Sequence, residues 1–444
     1  MQVNRCRCIC VISAIMVLYI FILCGCGQKE PAEQEVSIFY HVEDGVEEAV
    51  GYGSDIPVSR ETGSKSEKTV LTFAVSGYPG YDSRFKMVVD AFNYENEKYR
   101  VEMTTYHWGE ELADAHTKIP IEIGSGGGPD ILYEDVFRVN QSILDKGVLV
   151  DLTTYLEESG ITEENYFPGY ASIVSDGKIY GVTADSQLDI YMVDTKVLGG
   201  QEIPDFETFL DKLLAYPEKA GFDHESKTPM HVFMWLLKGS DTLGGSIDWE
   251  RRTCDFRAPV FLKTIDVAKR YGEDNQAGYE PVVTERPLDF VALGEGVFDD
   301  PSRVSPVTYF DDGHYPMYHS GNTSLMINAN TKHLEGAYAF LSYVMTVGQK
   351  YSDTPTRKAT WEKQYQYYNG LAESGRINPP IELTSERKQL ALDYLETGRF
   401  APRRTEEIWD ILFEEMEAYF EGTKSKEAVL DLIQNRVQLY LDEL

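Results

Sequence analysis

The sequence predicts a doubly wound α/β protein, because strand patterns and helix patterns alternate along the chain. The run VLTFAV, which begins at Val70, is typical of a strand, and it is followed by Phe85, Val88 and Phe92 at helical spacing. The stretch YRVEMTTY then alternates like a second strand. Another helix and the apolar run 131–133 repeat the unit, an order that is typical of a parallel sheet covered by helices.

A glycine-rich segment, GSGGGPDILYED at residues 124–135, interrupts this pattern. It lacks the lysine of a phosphate-binding P-loop, and Pro129 stands where a dinucleotide-binding loop needs its last glycine. A phosphate loop also follows a strand and opens a helix, whereas this apolar run follows the glycines. We therefore expect the glycines to end a helix, at about 110–123, and to lead into a strand.

The remaining elements follow in order. DGKIYGVTADSQLDIYMVD predicts strands that turn at Asp176 and Gly177. Helices dominate after residue 196, and one of them begins near Pro204 with Asp205 as its cap. SLMINA, at 324–329, predicts a strand that returns to the first sheet. The chain ends in two amphipathic helices whose apolar stripes we assign to the core.

The N-terminus predicts export and a lipid anchor. Arg5 and Arg7 precede the apolar run VISAIMVLYIFIL, which is short for a membrane span but suits a signal peptide. The run ends in Leu23-Cys24-Gly25-Cys26, which resembles a bacterial lipobox with Cys26 as the lipidated residue. We expect a signal peptide at 1–25 and a flexible acidic tether at 26–68. An uncleaved anchor or ordinary secretion is the alternative.

Composition excludes several classes of function. The formal net charge of −32 disfavours nucleic acid, which requires a basic surface. The eight histidines are scattered, and five of the six cysteines lie at or before Cys26, so no metal or other cofactor is expected. Glycoside hydrolysis requires two carboxylates, but among 73 acidic residues some such pair always exists. Its presence in the sequence therefore does not indicate a hydrolase.

Six segments, in their order, resemble the family 1 extracellular solute-binding proteins of ABC importers, which include the maltodextrin-binding proteins. The segments begin with LTFAVSGYPGYDSRFKMVVDAFNYENEKYRVEM, GSGGGPDILYED and GVLVDLTTYL with DGKIYGVTADSQLDIYMVDTKVL. They continue with IPDFETFLDKL, NTSLMINANTKHLEGAYAFLSYVM and AYFEGTKSKEAVLDLIQNRVQLYLDE. The resemblance covers residues 69–444 and departs from the family pattern between about 281 and 320.

The resemblance implies a two-lobed, periplasmic-binding-protein-like fold of type II, in which each lobe is an α/β sheet flanked by helices and a hinge cleft lies between them. The N-terminal lobe is expected at 69–183 and about 283–350. The C-terminal lobe is expected at 184–282 and about 351–444.

The ligand residues implied are Tyr78, Glu134, Asp135, Asp185, Ser186, Gln187, Trp235 and Trp409. The two acids at 134 and 135 follow a predicted strand, where the crevice of an open α/β sheet lies. The alternative for them is a solvated helix start, which favours acids in any case. Trp409, counted back from Gly422, is placed like a sugar-stacking tryptophan of the family, and both tryptophans have a core position as their alternative.

The resemblance therefore predicts a lipid-anchored binding protein on the outer face of the bacterial cytoplasmic membrane. It is expected to be a monomer without enzymatic activity. Its expected ligand is a carbohydrate, in particular an oligosaccharide, which it delivers to ABC permease subunits. The alternative function is a surface protein that degrades or adheres to glycans outside transport.

Overall fold

The described residues form two large β-sheets, joined by crossing segments, and a small third sheet in which Ile247–Asp248 pairs with Thr253–Cys254. The computed structural model describes residues 68–77, 83–185, 188–200, 205–217, 221–223, 228–237, 240, 242–274, 281–304, 324–352, 354–377, 380–398 and 405–444. The strands are β1 (Thr69–Gly77), β2 (Tyr99–His107), β3 (Ile131–Tyr133), β4 (Ala171–Ser175), β5 (Lys178–Val182), β6 (Asp189–Asp194), β7 (Gly221–Asp223), β8 (Ile247–Asp248), β9 (Thr253–Cys254), β10 (Pro281–Pro287), β11 (Arg303–Val304) and β12 (Leu325–Ile327).

Helices cover both sheets. They are α1 (Ser83–Glu95), α2 (Glu110–Gly124), α3 (Gln141–Asp145), α4 (Thr153–Glu158), α5 (Thr195–Leu198), α6 (Phe206–Ala215), α7 (Pro229–Leu237), α8 (Pro259–Asp274), α9 (Phe290–Glu295), α10 (Leu334–Thr346), α11 (Lys358–Glu373), α12 (Ser385–Thr397), α13 (Glu406–Phe420) and α14 (Lys426–Glu443). Short 3-10 turns lie at Pro168–Tyr170, Val297–Asp299 and Gly348–Tyr351.

The first sheet has the strand order β2-β1-β3-β12-β5-β4. Its first three strands are parallel, and β12 is antiparallel to both β3 and β5. Side chains alternate across the sheet, so Phe73 packs into one apolar cluster and Ala74 into another on the opposite face. The predicted alternation of strands and helices and the predicted return of residues 325–327 to this sheet are confirmed.

The second sheet has the order β11-β6-β10-β7. Strand β6 is antiparallel to both neighbours, and β7 is parallel to β10. Val193 packs into the cluster on one face, whereas Ile190 and Met192 pack into the cluster on the other. The α/β fold with two lobes, expected from the resemblance, is the fold observed.

The pairing of strands β10 and β11 bears on the lobe boundary that was expected near residue 283. Strands β10 and β11 pair with β6 and belong to the second sheet, although residues from about 283 were expected in the first lobe. The apolar pair Val282 and Val283 is buried in the core of the second lobe, which draws β10 to that sheet. We therefore propose that the chain returns to the first lobe between 304 and 325 and not near 283, and that the later boundary lies near 351.

Local signals of the sequence explain several element ends. Asp176 and Gly177 have φ angles of 51° and 74°, the left-handed pair that a two-residue hairpin requires between β4 and β5. The Asp205 carboxylate accepts a hydrogen bond from the Thr208 N–H at 2.9 Å and caps α6. Both predictions are confirmed.

Candidate functional site

The carboxyl ends of the parallel strands β1, β2 and β3 lie at one edge of the first sheet. The antiparallel strand β12 begins there, because Leu325 pairs with Tyr133, and β5 ends there, because Val182 also pairs with Leu325. Ligands of open α/β sheets bind outside the carboxyl ends of the strands. This edge is therefore the candidate site.

The glycine loop ends α2 and leads into the amino end of β3, as predicted. Gly128 has a φ angle of 89°, and a Cβ atom there would lie 2.9 Å from Ile123 Cγ1, so only glycine fits. The Asn328 side-chain amide donates to the carbonyl oxygens of Gly127 and Pro129 at 2.8 and 2.9 Å. The loop is thus tied to the end of β12, and the N–H groups of Gly126 and Gly127 donate to carbonyl oxygens at the end of α2.

Glu134, the first residue after β3, is turned into the protein. Its residue exposure is 2%, and its Oε2 atom accepts a hydrogen bond from Ser324 Oγ at 2.5 Å. The Glu134 N–H also donates to the Ser324 carbonyl oxygen at 2.9 Å. This carboxylate joins the end of β3 to the start of β12. Because it is buried, direct contact with a ligand is disfavoured.

Asp135, the next residue, is only partly buried. Its Oδ2 atom accepts a hydrogen bond from Ser76 Oγ at 2.6 Å, which links it to the end of β1. Its carbonyl oxygen lies 2.6 Å from His116 Nε2, and since a carbonyl can only accept, that nitrogen carries the proton. Ser76 at the end of β1 thus holds the Asp135 carboxylate at the edge of the sheet, and His116 of α2 holds its backbone.

Asp185 lies on the segment that leaves β5 for the second sheet. Its Oδ1 atom accepts a hydrogen bond from the Thr354 N–H at 3.0 Å, and its backbone forms a β-bridge with Pro355. Its carbonyl oxygen accepts from Thr183 Oγ1 at 3.0 Å. Asp185 is partly buried and stands where the two lobes meet.

Four of the predicted functional residues lie outside the described residues. They are Cys26, Tyr78, Ser186 and Gln187.

The two tryptophans lie together in the apolar cluster of the second lobe. Trp235 is 7% exposed and Trp409 is 9% exposed. The Trp409 ring meets the Phe233 ring edge-on, with centroids 6.4 Å apart. One turn further along α13, the Phe413 ring lies 6.2 Å from Trp409 and is 36% exposed. This burial is what the core alternative requires, and a stacking role for either tryptophan stays a prediction.

Tyr440, near the end of α14, is linked to Glu407 at the start of α13. Burial is the main reason why the pKa of Tyr440 is raised, and the nearby Glu407 carboxylate raises it further. Asp145, at the end of α3 in the first lobe, also contributes to that rise. Tyr440 donates a hydrogen bond to Glu407 Oε2 at 3.3 Å. The end of α14 and the start of α13 are therefore within electrostatic reach of α3.

Sequence reasoning missed the partners of the acids, namely Ser76, His116, Thr183, Ser324 and Thr354. Ser76 and Thr183 were within reach of prediction, because both lie at strand ends that share the edge with β3. His116 and Thr354 come from other parts of the chain, and no local pattern marks them.

Two kinds of structure are absent from the part of the chain described here. No group of three or more histidine, cysteine or acidic side chains could hold a metal ion there. In the same residues, every helix is too short or too polar to cross a lipid bilayer.

Comparison with known proteins adds a family and a set of similar structures. The family model described as bacterial extracellular solute-binding protein matches residues 78–351. No curated protein sequence matches the chain.

Solved structures match most of the chain. One is an ABC substrate-binding protein from Listeria monocytogenes in complex with cycloalternan, with 16% identity, a TM-score of 0.52, and coverage of 85% of this chain and 100% of that chain. Another is the maltose/maltodextrin-binding domain from Bdellovibrio bacteriovorus bound to maltotriose, with 15% identity, a TM-score of 0.52, and coverage of 84% and 100%. A third is the GacH receptor of Streptomyces glaucescens, described without ligand and with acarbose, with 14% identity, a TM-score of 0.52, and coverage of 85% and 99%. At these identities the likeness establishes the fold.

Proposed function

The chain belongs to the family of bacterial extracellular solute-binding proteins, and on that premise we propose that it captures a carbohydrate between its two lobes and delivers it to an ABC permease. The observation that carries the proposal is the edge of the first sheet, where Asp135 and Asp185 are held partly buried beside the crossing to the second lobe. Similar structures that hold cycloalternan, maltotriose or acarbose support a carbohydrate as the ligand class.

Carboxylates at the crevice suit a sugar. Each oxygen accepts hydrogen bonds from hydroxyl groups, and a charged acceptor makes such bonds about twice as strong as a neutral one. We propose Asp135 and Asp185 as the carboxylates that bind hydroxyl groups. Glu134 holds the edge together from behind, because its carboxylate is buried against Ser324.

Aromatic rings would supply the apolar contacts that a sugar face requires. We propose that the second lobe presents them, with the more exposed Phe413 of α13 toward the ligand and with Trp409 of α13 and Trp235 of α7 buried beneath it as its support. Tyr78, Ser186 and Gln187 are proposed contacts that rest on the family resemblance, since they adjoin Gly77 and Asp185 in the sequence.

Closure of the lobes on the sugar would produce the form that docks on the permease, which is the domain-closure mode of periplasmic binding proteins. We also propose that Cys26 carries lipid and anchors the protein to the membrane through the acidic segment 26–68. No covalent chemistry on the sugar is part of this proposal.

A thermal-unfolding screen of the full-length chain against a panel of oligosaccharides tests the proposal. A ligand present at about 100 times its Kd stabilises the folded state by roughly 2.7 kcal/mol, so a true ligand should raise Tm clearly. Chromatography of the recovered ligand should show an unchanged sugar. Cleaved product that disappears when one carboxylate is replaced would contradict the proposal and favour a glycan-degrading enzyme.

The anchor is tested separately. Cys26→Ser should abolish metabolic labelling with a radioactive fatty acid and release the protein from the membrane fraction, or leave an unprocessed precursor. Unchanged lipid labelling of that variant would reject Cys26 as the anchor.

A further inference from the structure

Three buried polar residues form a relay where two crossing segments lie side by side. Gln349, Thr356 and Thr183 are 0%, 0% and 1% exposed. Gln349 Nε2 donates a hydrogen bond to Thr356 Oγ1 at 2.7 Å, and Thr356 Oγ1 donates to the Thr183 carbonyl oxygen at 3.0 Å. The relay connects the 3-10 turn after α10 to the segment that leaves β5.

The direction of every bond in the relay is determined. Gln349 Oε1 accepts a hydrogen bond from the Arg357 N–H at 3.1 Å, so the amide nitrogen must face Thr356. The Thr356 hydroxyl has a single proton, which goes to the Thr183 carbonyl, and it therefore accepts from Gln349. A buried amide without such a partner destabilises the folded state. The Gln349 side chain therefore resists rotation away from Thr356.

Further hydrogen bonds and the antiparallel bridge between Asp185 and Pro355 extend the relay into a short two-stranded ribbon. The Thr356 N–H donates to the Ala184 carbonyl oxygen at 3.1 Å, and the Thr354 N–H donates to Asp185 Oδ1 at 3.0 Å. One strand of the ribbon leads from β5 toward β6. The other leads from α10, which packs on the first sheet, to α11, which packs on the second. This ribbon (183–185 with 354–357) is therefore part of the hinge.

We propose that Gln349 and Thr356 are positioning residues, which fix the hinge ribbon and thereby hold Asp185 in the geometry that binds ligand. The inference deepens the proposed function and rests on it. Neither residue touches the ligand. Without the relay, the ribbon samples conformations in which Asp185 is displaced, and the apparent affinity falls in proportion to the fraction of molecules that remain competent.

Substitutions of Thr356 test the proposal in the full-length chain, with maltotriose as the probe. Thr356→Val removes the hydroxyl and keeps the shape, and it should raise the Kd about tenfold. Thr356→Ser keeps the hydroxyl and should restore the Kd to within about twofold. The matched control is Thr264→Val, because Thr264 is also 0% exposed and its hydroxyl donates to the Val260 carbonyl oxygen at 2.8 Å inside α8, away from the hinge. It should lower Tm while the Kd stays within about twofold.

A second measurement needs no ligand. Spin labels on cysteines introduced at the exposed positions Glu97 and Glu421, in a chain whose six native cysteines are replaced by serine, report the distance between the lobes. Thr356→Val should broaden the distance distribution, and Thr264→Val should not.

The outcomes separate the two proposals. An unchanged distance distribution in Thr356→Val, or an equal broadening in Thr264→Val, would overturn the positioning role. A wild-type chain that binds neither maltotriose nor any other sugar would overturn the proposed function, while the distances would still decide whether the relay fixes the hinge.

Discussion

The edge of the first sheet and the aromatic cluster of the second lobe are built in opposite ways. At the edge, Asp135 and Asp185 are partly buried, and each is held by a hydrogen bond from another segment of the chain. In the cluster, Trp235 and Trp409 are at most 9% exposed and pack among apolar side chains. The first region is held in place by directional bonds, and the second by packing.

The two regions therefore differ in how many further contacts they can offer a ligand. A partly buried carboxylate has further lone pairs that can accept hydrogen bonds, so it can serve both the fold and a ligand. A ring that is nine-tenths buried has already gained most of the contact it can make. The central claim is therefore that the polar edge determines ligand binding and that the tryptophans mainly stabilise the second lobe.

The largest expected effect comes from Trp409→Ala. Removal of a buried tryptophan that packs on Phe233 should lower the free energy of unfolding by about 3 to 5 kcal/mol, and urea unfolding measures it. Phe413→Ala is the matched control, because it lies on the same helix one turn away and is 36% exposed. The control should cost no more than about 1 kcal/mol.

The opposite pattern would reverse the comparison. If Trp409→Ala left stability unchanged and weakened sugar binding about thirtyfold, which corresponds to roughly 2 kcal/mol, the indole would be a ligand contact.

A smaller effect is expected from Glu415→Gln, which sharpens the contrast between buried carboxylates. Glu415 is 3% exposed and accepts hydrogen bonds from Lys424 Nζ at 2.5 Å and Arg436 Nη1 at 2.8 Å. Burial alone would raise the pKa of Glu415, but these two cations together hold it below its ordinary value of 4.5. The substitution should cost about 2 kcal/mol of stability at neutral pH, because the buried carboxylate loses its charge while both cations, with side chains 38% exposed, keep contact with water.

The stability cost of Glu415→Gln depends on pH, and the direction of that dependence follows from the lowered pKa of Glu415. A carboxylate whose pKa is lowered by folding stabilises the protein above its unfolded pKa, and the contribution is lost as the pH falls through the folded value. The difference in unfolding free energy between wild type and Glu415→Gln should therefore be full above about pH 5 and shrink below about pH 4. A difference that grew toward acidic pH would show that the ion pair does not stabilise the fold.

The smallest expected effect separates two neighbours at the edge. Asp135→Asn should weaken sugar binding about tenfold, since it removes a charged acceptor, and should change stability by no more than about 1 kcal/mol. Glu134→Gln should do the reverse, with a loss of about 1 kcal/mol in stability and little change in affinity, because this side chain is buried against Ser324. Calorimetric titration measures the affinity of the two variants for the sugar, and urea unfolding measures their stability. Equal losses of affinity in the two variants would place both carboxylates at the ligand.

Much of the fold could be predicted from the sequence, since periodicity and turn residues are local signals. The strand at 131–133, the turn at Asp176 and Gly177 and the cap at Asp205 all follow from neighbouring residues. The second sheet could not be assembled in this way, because β10 joins β6 across about ninety residues of chain. Helices α11 and α12 were also missed, since the weak apolar spacing at 358–397 gives little signal.

The site could be predicted only in part. The rule of strand ends located Glu134 and Asp135 at one edge, but it could not tell which of the two faces the protein interior. That distinction depends on Ser324 and Ser76, which arrive from distant strands. For Trp409, the helical stripe left core and ligand open, and its contact with Phe233 on α7 is not visible in the sequence.

Hydrogen–deuterium exchange with and without the best sugar from the panel shows which of the two regions binds the ligand. We expect the sugar to protect amides in peptides that cover residues 130–139 and 180–190, at the edge of the first sheet and the hinge crossing. Peptides from the first half of α14 should be unaffected, because Val429, Leu430 and Ile433 are buried in the core of the second lobe. Protection confined to the second lobe, with unchanged exchange at 130–139, would contradict the claim that the polar edge of the first sheet binds the ligand.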